Sequence, residues 1–226
     1  MIANFQQPGL VVIGNPGFII DLMKEYGETK LSTTRADENL FNVRESPLSI
    51  FDAKRFHSFV AKLLYLNKRT RPDILTLVAF LTARVHSPTE DDRSKLYKGM
   101  RYLAGTIDLS LKLEVKGPIK VTTYVDASLA THNSEMRSHT GLYITLGKGA
   151  MCCRSSKQKL VTKSSTEAEL VEISDALVQI IWFKHFLEAQ GHPDTSRAHI
   201  WEDNQSTICL AKTGRSCSER SRHIEI

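Results

Sequence analysis

Apolar residues recur at two different spacings along this chain, and the change from one to the other divides it. Between Phe18 and Leu103 the spacing is helical. Phe18, Leu22 and Tyr26 lie four apart, and Gly27 stops that run. Phe56, Phe59, Val60, Leu63, Leu64 and Leu66 make one broad stripe within a helix predicted from Phe51 to Asn67. A stripe of this width is normally buried in a core. Pro72 suits a first helical position, and Ile74, Leu77, Val78 and Leu81 follow at helical spacing. Ser87-Pro88-Thr89-Glu90 starts a further helix, which Gly105 stops. Ahead of these, Leu10-Val11-Val12-Ile13 reads as a fragment of strand between turns, and residues 27–52 as a polar connector.

From Leu109 the pattern alternates, and Gly117-Pro118 marks the predicted boundary between a mostly helical region, 1–118, and a second domain, 119–226. Ile119–Asp126 reads as a strand, 127–139 as a loop, and Thr140–Leu146 as a second strand. Gly147-Lys148-Gly149 is a tight turn into a third strand, Ala150–Arg154, which Leu160–Thr162 extends beyond a polar stretch. A long helix follows, Thr166–Ala189, with Leu170, Ile173, Leu177, Ile180, Ile181 and Phe186 as its expected buried stripe; Gly191 and Pro193 end it. Arg197–Asp203 is a fourth strand and Asn204–Lys212 a last helix, stopped by Gly214. The order β-β-β-α-β-α predicts an α/β fold: a mixed sheet flanked by helices.

Composition narrows this little. At 226 residues, 41% hydrophobic and 24% charged, the chain suits one large globular domain or two small ones. No apolar run approaches the ~20 residues of a membrane span, and no signal-peptide pattern opens the chain. An intracellular protein without a membrane partner is expected. The net charge of +5 permits a polyanionic partner. Lys62, Lys68, Arg69 and Arg101 lie among the apolar helical positions, either as a solvated face or as a clamp on nucleic-acid phosphates. Cys152, Cys153, Cys209 and Cys217 form no C-x-x-C and read as reduced thiols, with a disulfide left open.

Three acids stand out in the second half. Asp126 ends an alternating run, Glu169 lies one turn into the long helix, and Asp203 ends the fourth predicted strand. Carboxylate oxygens gathered from two strand ends and a helix suit hard divalent cations. Each acid alone also has a plain structural role. Asp203 is placed to cap the helix that follows, and Thr166-x-x-Glu169 is itself a capping box.

The sequence around these acids resembles the ribonuclease H domain of copia-type retrotransposon polyproteins. The likeness lies in Tyr124-Val125-Asp126-Ala127-Ser128, Ser164-Ser165-Thr166-Glu167-Ala168-Glu169, Asp203-Asn204-Gln205-Ser206 and Ser221-Arg222-His223-Ile224-Glu225. Ser155-Ser156-Lys157-Gln158-Lys159 fits between them. In the first half, Leu63-Leu64-Tyr65-Leu66, Thr70-Arg71-Pro72-Asp73-Ile74 and Arg101-Tyr102-Leu103-Ala104-Gly105-Thr106 resemble the thumb- or connection-like segment that joins the polymerase palm to that domain.

The resemblance implies that Asp126, Glu169 and Asp203 are catalytic and hold two magnesium ions, with manganese as the alternative. It implies hydrolysis of the RNA strand of an RNA–DNA hybrid by two-metal-ion catalysis during reverse transcription. Ser128, Ser155, Lys157 and Asn204 are the candidate substrate contacts. The expected partners are the hybrid and the remainder of a polyprotein, with the polymerase palm ahead of Met1; the expected location is a cytoplasmic particle or the nucleus. Two departures qualify the match. The family's fourth acidic ligand lies in a helix after a fifth strand, so the domain is expected to be truncated at Ile226. Ala127 replaces the second acid of a polymerase Tyr-x-Asp-Asp motif, so no DNA synthesis is expected. The alternative reading is a catalytically dead, nucleic-acid-binding relic.

Overall fold

The computed structural model describes residues 1–27, 30–43, 49–132, 135–192 and 198–214. The Ser221–Glu225 motif, Cys217 and the start of the fourth predicted strand lie outside the described residues. The chain divides into two compact units, one over residues 1–112 and one from Leu113 onward.

The first unit opens with a hairpin, β1 (Ile2–Gln7) and β2 (Leu10–Gly14), to which β3 (Leu111–Glu114) adds a third strand. The chain leaves the first unit within β3. Of this sheet the sequence shows only β2, as the strand fragment Leu10–Ile13; β1 and β3 are absent from the helical reading of the region. All six residues of β1 are exposed, so no alternation betrays it, and Gly9 supplies the positive φ that closes the turn. Four α-helices follow among the described residues: α1 (Pro16–Tyr26), α2 (Ile50–Arg69), α3 (Leu75–Thr82), which a 3-10 turn at Pro72–Ile74 precedes, and α4 (Glu90–Ala104). Their apolar faces meet in one core that includes Ile19, Phe59, Leu63, Leu77, Met100 and Leu103.

The second unit is a four-stranded mixed sheet with one long helix against it. Its strands are β4 (Thr122–His132), β5 (Arg137–Thr145), β6 (Cys152–Lys157) and β7 (His199–Trp201), in the spatial order β6-β5-β4-β7. β4–β5 and β5–β6 are antiparallel, and β4–β7 is parallel. The helices are α5 (Ser165–Ala189) and α6 (Gln205–Thr213). The parallel partner arrives through α5, as a helical crossover requires.

Several predicted boundaries move, and β7 stops at Trp201, short of the expected Asp203. β4 does not end at Asp126 but runs on to His132, and β5 begins at Arg137, so most of the expected loop 127–139 is paired strand. Polar residues on the open side of a two-sided strand leave its backbone pairing intact. Only the end is irregular: the register shifts between Ser128 and His132, and Ala130 takes a positive φ. β6 likewise continues through Ser155 to Lys157.

The buried stripe of α5 is also rotated from the expected one. Ala168, Glu169, Glu172, Ala176, Ile180, Phe183 and Leu187 are buried, whereas Leu177, Ile181 and Phe186 are exposed. Ala176, Ile180, Phe183 and Leu187 meet Val121, Val125, Leu142 and Ile144 of the sheet in a single core. The helix is apolar on both sides, so hydrophobicity alone cannot tell which side is inward. Cys152 and Cys153 are not in a disulfide; Cys209, read as reduced, is disulfide-bonded. Among the described residues no helix is long and apolar enough to cross a membrane.

The rotated stripe is directly testable. Ile180 is 4% exposed and its neighbour Ile181 is 50% exposed. Ile180→Ala is expected to cost about 2–5 kcal/mol of stability by leaving a core cavity, and Ile181→Ala about 0.5 kcal/mol or less. Urea unfolding of the two variants, followed by circular dichroism, checks the order.

Candidate metal centre

The register of three strand residues sets the site. Thr122, Thr123 and Tyr124 of β4 pair in parallel with His199, Ile200 and Trp201 of β7. Parallel strands advance together, so two residues beyond Tyr124 and Trp201 lie Asp126 and Asp203, at one level. The exposed rings of Tyr124 and Trp201 stack at 6.3 Å with an interplanar angle of 13°, reinforcing that register. β7 ends at Trp201, which leaves β4 without a neighbour on that side at Asp126. A notch opens there.

Glu169 enters the notch from α5. The N-cap of this helix is Ser164, whose hydroxyl accepts the backbone N–H of Glu167 at 3.2 Å. The carboxylate of Glu167 reaches back to the N–H of Lys163 at 2.7 Å. Glu167, not Glu169, therefore does the capping, and the Thr166–Glu169 box is not formed. Asp203 is likewise free of the cap expected of it: the Asn204 side chain caps α6, accepting from the N–H groups of Ser206 and Thr207. Both plain structural roles fall to neighbouring residues. Asp126, Glu169 and Asp203 each bring a carboxylate oxygen within 4.8 Å of the others. Asp126 and Asp203 are exposed, while Glu169 is 4% exposed.

The electrostatics of the notch are unrelieved. Burial first, then the negative charge of Glu202 and of Asp126, pushes the Glu169 carboxyl up to about 8. The backbone N–H of Ala127 opposes that shift. Glu202 is also raised, by burial and then by Asp203, against the N–H of Asn204. Glu169 Oε2 is buried without a hydrogen-bond donor, an unusual condition for a buried polar atom. An all-oxygen set with an orphaned buried carboxylate oxygen fits magnesium or manganese. Asp126, Glu169 and Asp203 are the residues that would hold them.

Of the candidate substrate contacts, Ser128, Ser155 and Lys157 share the open face of the sheet with Asp126. Asp126, Gly141 and Ser155 form one cross-strand row, and Ser128, His139 and Lys157 the next. Ser155 Oγ hydrogen-bonds His139 Nε2 at 2.6 Å, and His139 Nδ1 meets His132 Nε2 at 3.0 Å. Burial and then His132 hold His139 down at about 4, so it is neutral at physiological pH. Lys157 is ion-paired with Glu135 at 2.5 Å. Asn204 is engaged through its side-chain oxygen in the α6 cap.

Two acids near the site were missed from sequence. Glu202 touches Glu169. Glu172, completely buried, has Arg154 Nη2 at 3.5 Å, and burial pushes its carboxyl up. The signal for Glu172 was present: once Glu169 faces inward, Glu172 and Ala176 must do so too, by helical spacing.

Comparison with known proteins adds ancestry. The chain is 31% identical to the retrovirus-related Pol polyprotein from transposon TNT 1-94 of Nicotiana tabacum, over 76% of this chain and 13% of that protein. It is 33% identical to the corresponding polyprotein from transposon RE2 of Arabidopsis thaliana, over 77% of this chain and 12% of that protein. It is also 33% identical to secreted RxLR effector protein 161 of Plasmopara viticola, over 55% of this chain and 88% of that protein. The chain thus spans about an eighth of the length of the two polyproteins. No family model and no solved structure matches it.

The raised carboxyl of Glu169 carries a pH signature. A carboxyl whose native value is raised from 4.5 to about 8 keeps its proton in the folded state where the unfolded chain has lost it. Stability is therefore expected to fall as pH rises through that window in cation-free buffer. Glu169→Gln should flatten this part of the profile. Unfolding midpoints measured across the window with a chelator present provide the check.

Proposed function

Since this chain is homologous to part of the retrovirus-related Pol polyproteins of plant transposons, we propose that its second unit carries a ribonuclease H-type site, which hydrolyses the RNA strand of RNA–DNA hybrids. The observation that carries this reading is the convergence of Asp126, Glu169 and Asp203 at the open end of the β4–β7 pair, on a mixed sheet backed by a helix. The proposed cellular setting is reverse transcription by a larger polyprotein, in which the RNA template is removed after copying.

The residues divide the work by exposure. Asp126 and Asp203 face solvent and offer oxygens on the side from which a phosphodiester can approach. Glu169 is fixed from behind by α5 and supplies a buried oxygen that solvent cannot satisfy. Bound divalent cations would supply an activated water and charge stabilisation at the departing 3′ oxygen. Ser128, two residues from Asp126 on the same face, is the exposed hydroxyl best placed to meet the substrate backbone. Ser155 and Lys157 must first give up His139 and Glu135 to do so. Selection of the RNA strand rests on its 2′-hydroxyls and on helix shape rather than on base sequence.

The test is cleavage of a labelled RNA–DNA hybrid in magnesium beside an Asp126→Asn control. Cleavage is expected in the parent chain and background only in the variant, because Asn keeps the shape of the side chain but removes its charge. Equal cleavage in both would overturn the site assignment. Salt-sensitive hybrid binding without cleavage in either would instead identify a binding relic of the same fold.

A further inference from the structure

The open face of the sheet holds a hydrogen-bonded chain that the three carboxylates do not use. His132 Nε2, at the end of β4, lies 3.0 Å from His139 Nδ1, and His139 Nε2 lies 2.6 Å from Ser155 Oγ. Beside this chain Lys157 Nζ is paired with Glu135 Oε1 at 2.5 Å, while Arg137 Nε approaches the other oxygen, Oε2, at 3.4 Å. Ser155 stands in the row Asp126–Gly141–Ser155, two strand spacings or about 10 Å from the acid. Nothing fills the row between them. A Cβ added at Gly141 would meet only the Asp126 carbonyl oxygen, at 3.7 Å. A phosphodiester strand laid along this row reaches both ends of it.

The chain has two possible polarities, because a neutral imidazole carries one donor and one acceptor nitrogen. In the first, Ser155 donates to His139 and His139 donates to His132, which leaves Ser155 only lone pairs to offer. In the second, His132 donates to His139 and His139 donates to Ser155, which leaves the hydroxyl hydrogen for an incoming acceptor. A phosphate oxygen only accepts, so it requires the second. A proton added to His132 enforces that polarity, since both nitrogens of an imidazolium are donors. Burial and then the Lys157 ammonium disfavour that proton, and the Glu135 carboxylate favours it. At His139 burial and then His132 keep a proton off, so the uptake falls to His132.

We propose that Ser155 and Lys157 form a subsite for a backbone phosphate of the hybrid, and that His132 takes up one proton from solvent as the subsite fills. This rests on the ribonuclease reading and adds to it a substrate contact coupled to a proton. When Lys157 turns to the phosphate, Glu135 loses the cation at Oε1, and its charge acts on His132 without the opposing ammonium. His132 then holds the proton, His139 donates to Ser155, and Ser155 donates to the phosphate oxygen instead of to His139. Only hydrogen bonds and one proton change hands, and the proton returns to solvent on release. Among the described residues, the charged groups acting on the histidine pair are Lys157 from β6 and Glu135 from the turn between β4 and β5, which Arg137 also holds. The filled subsite carries one proton more than the empty one. Affinity therefore falls as pH rises above the range of the free His132, which lies below the usual 6.5.

The experiment follows a labelled RNA–DNA hybrid with the full chain in magnesium from about pH 6.5 to 8, the range above the usual histidine value. It reads KM, or Kd where the chain binds without cutting. The parent value is expected to rise with pH by up to about tenfold per unit, the slope of one linked proton. His132→Gln, whose amide donates to His139 but takes no proton, is expected to flatten that slope. Ser155→Ala leaves both histidines in place and is expected to flatten it as well. A parent-like slope in His132→Gln would overturn the proposal, while cleavage that still depends on Asp126 left the ribonuclease reading standing. A slope lost in His132→Gln but kept in Ser155→Ala would also overturn it, since the proton would then have no link to the hydroxyl. An unsubstituted chain that neither binds nor cuts the hybrid would overturn the ribonuclease reading and this subsite with it.

Discussion

Three residue pairs of parallel strand carry the alignment of the whole site. Thr122–His199, Thr123–Ile200 and Tyr124–Trp201 are the full extent of the β4–β7 ladder. A slip of one residue would turn either Asp126 or Asp203 to the opposite face, because side chains alternate along a strand. So short a ladder needs reinforcement. On the open face the Tyr124–Trp201 stack supplies it, and Tyr143 of β5 extends the aromatic row edge-on at 5.9 Å from Tyr124. On the other side the register of β4 is held by Val121 and Val125, packed against α5. The same helix delivers Glu169. One core therefore positions the central strand and the third carboxylate together.

That arrangement works against the stability of the unit that builds it. Glu169, Glu172 and Glu202 all carry buried carboxylate oxygens without hydrogen-bond donors. Burying charge that way is costly unless it is paired or neutralised. At Glu172 the Arg154 guanidinium gives partial relief. At Glu169 and Glu202 the neighbours are further acids. The contrast with Arg71 in the first unit is instructive. That guanidinium is 1% exposed yet fully engaged, with Asp73 and with the carbonyl and hydroxyl of Thr106. The acids of the notch lack that engagement, as do some buried polar atoms of the first unit, such as Asn67 Oδ1 and Asp92 Oδ1.

Much of this was legible in the sequence, and the failures have definite causes. The element order of the second half could be read because β4, β5 and α5 have strong periods and glycine stops. The three acids could be read because their surroundings match a family pattern. The extent of β4 could not, since Asp126 and Ser128 look like loop residues until their side of the strand is known to be open. The inward side of α5 could not, since Leu177, Ile181 and Trp182 compete with Ala176, Ile180 and Phe183 for the core. Small residues decided it: Ala168 and Ala176 let the helix approach the sheet. Glu202 escaped notice because an acid beside an acid at a strand end reads as solvated polarity.

The open face qualifies the idea that basic residues recruit the substrate. Lys157 is paired with Glu135, Ser155 with His139, and Asn204 with its own helix. The groups nearest the notch are thus mostly satisfied within the protein. The notch itself is acidic, and a phosphodiester brought to it meets like charge. The net charge of +5 is spread over the chain and cannot cancel a local cluster at contact distance, because screening confines such effects to about 10 Å or less. On the proposed reading, cation binding must precede or accompany substrate binding, for electrostatic reasons alone. The same carboxylates that would repel the phosphate when bare would then attract it, through the positive charge they hold.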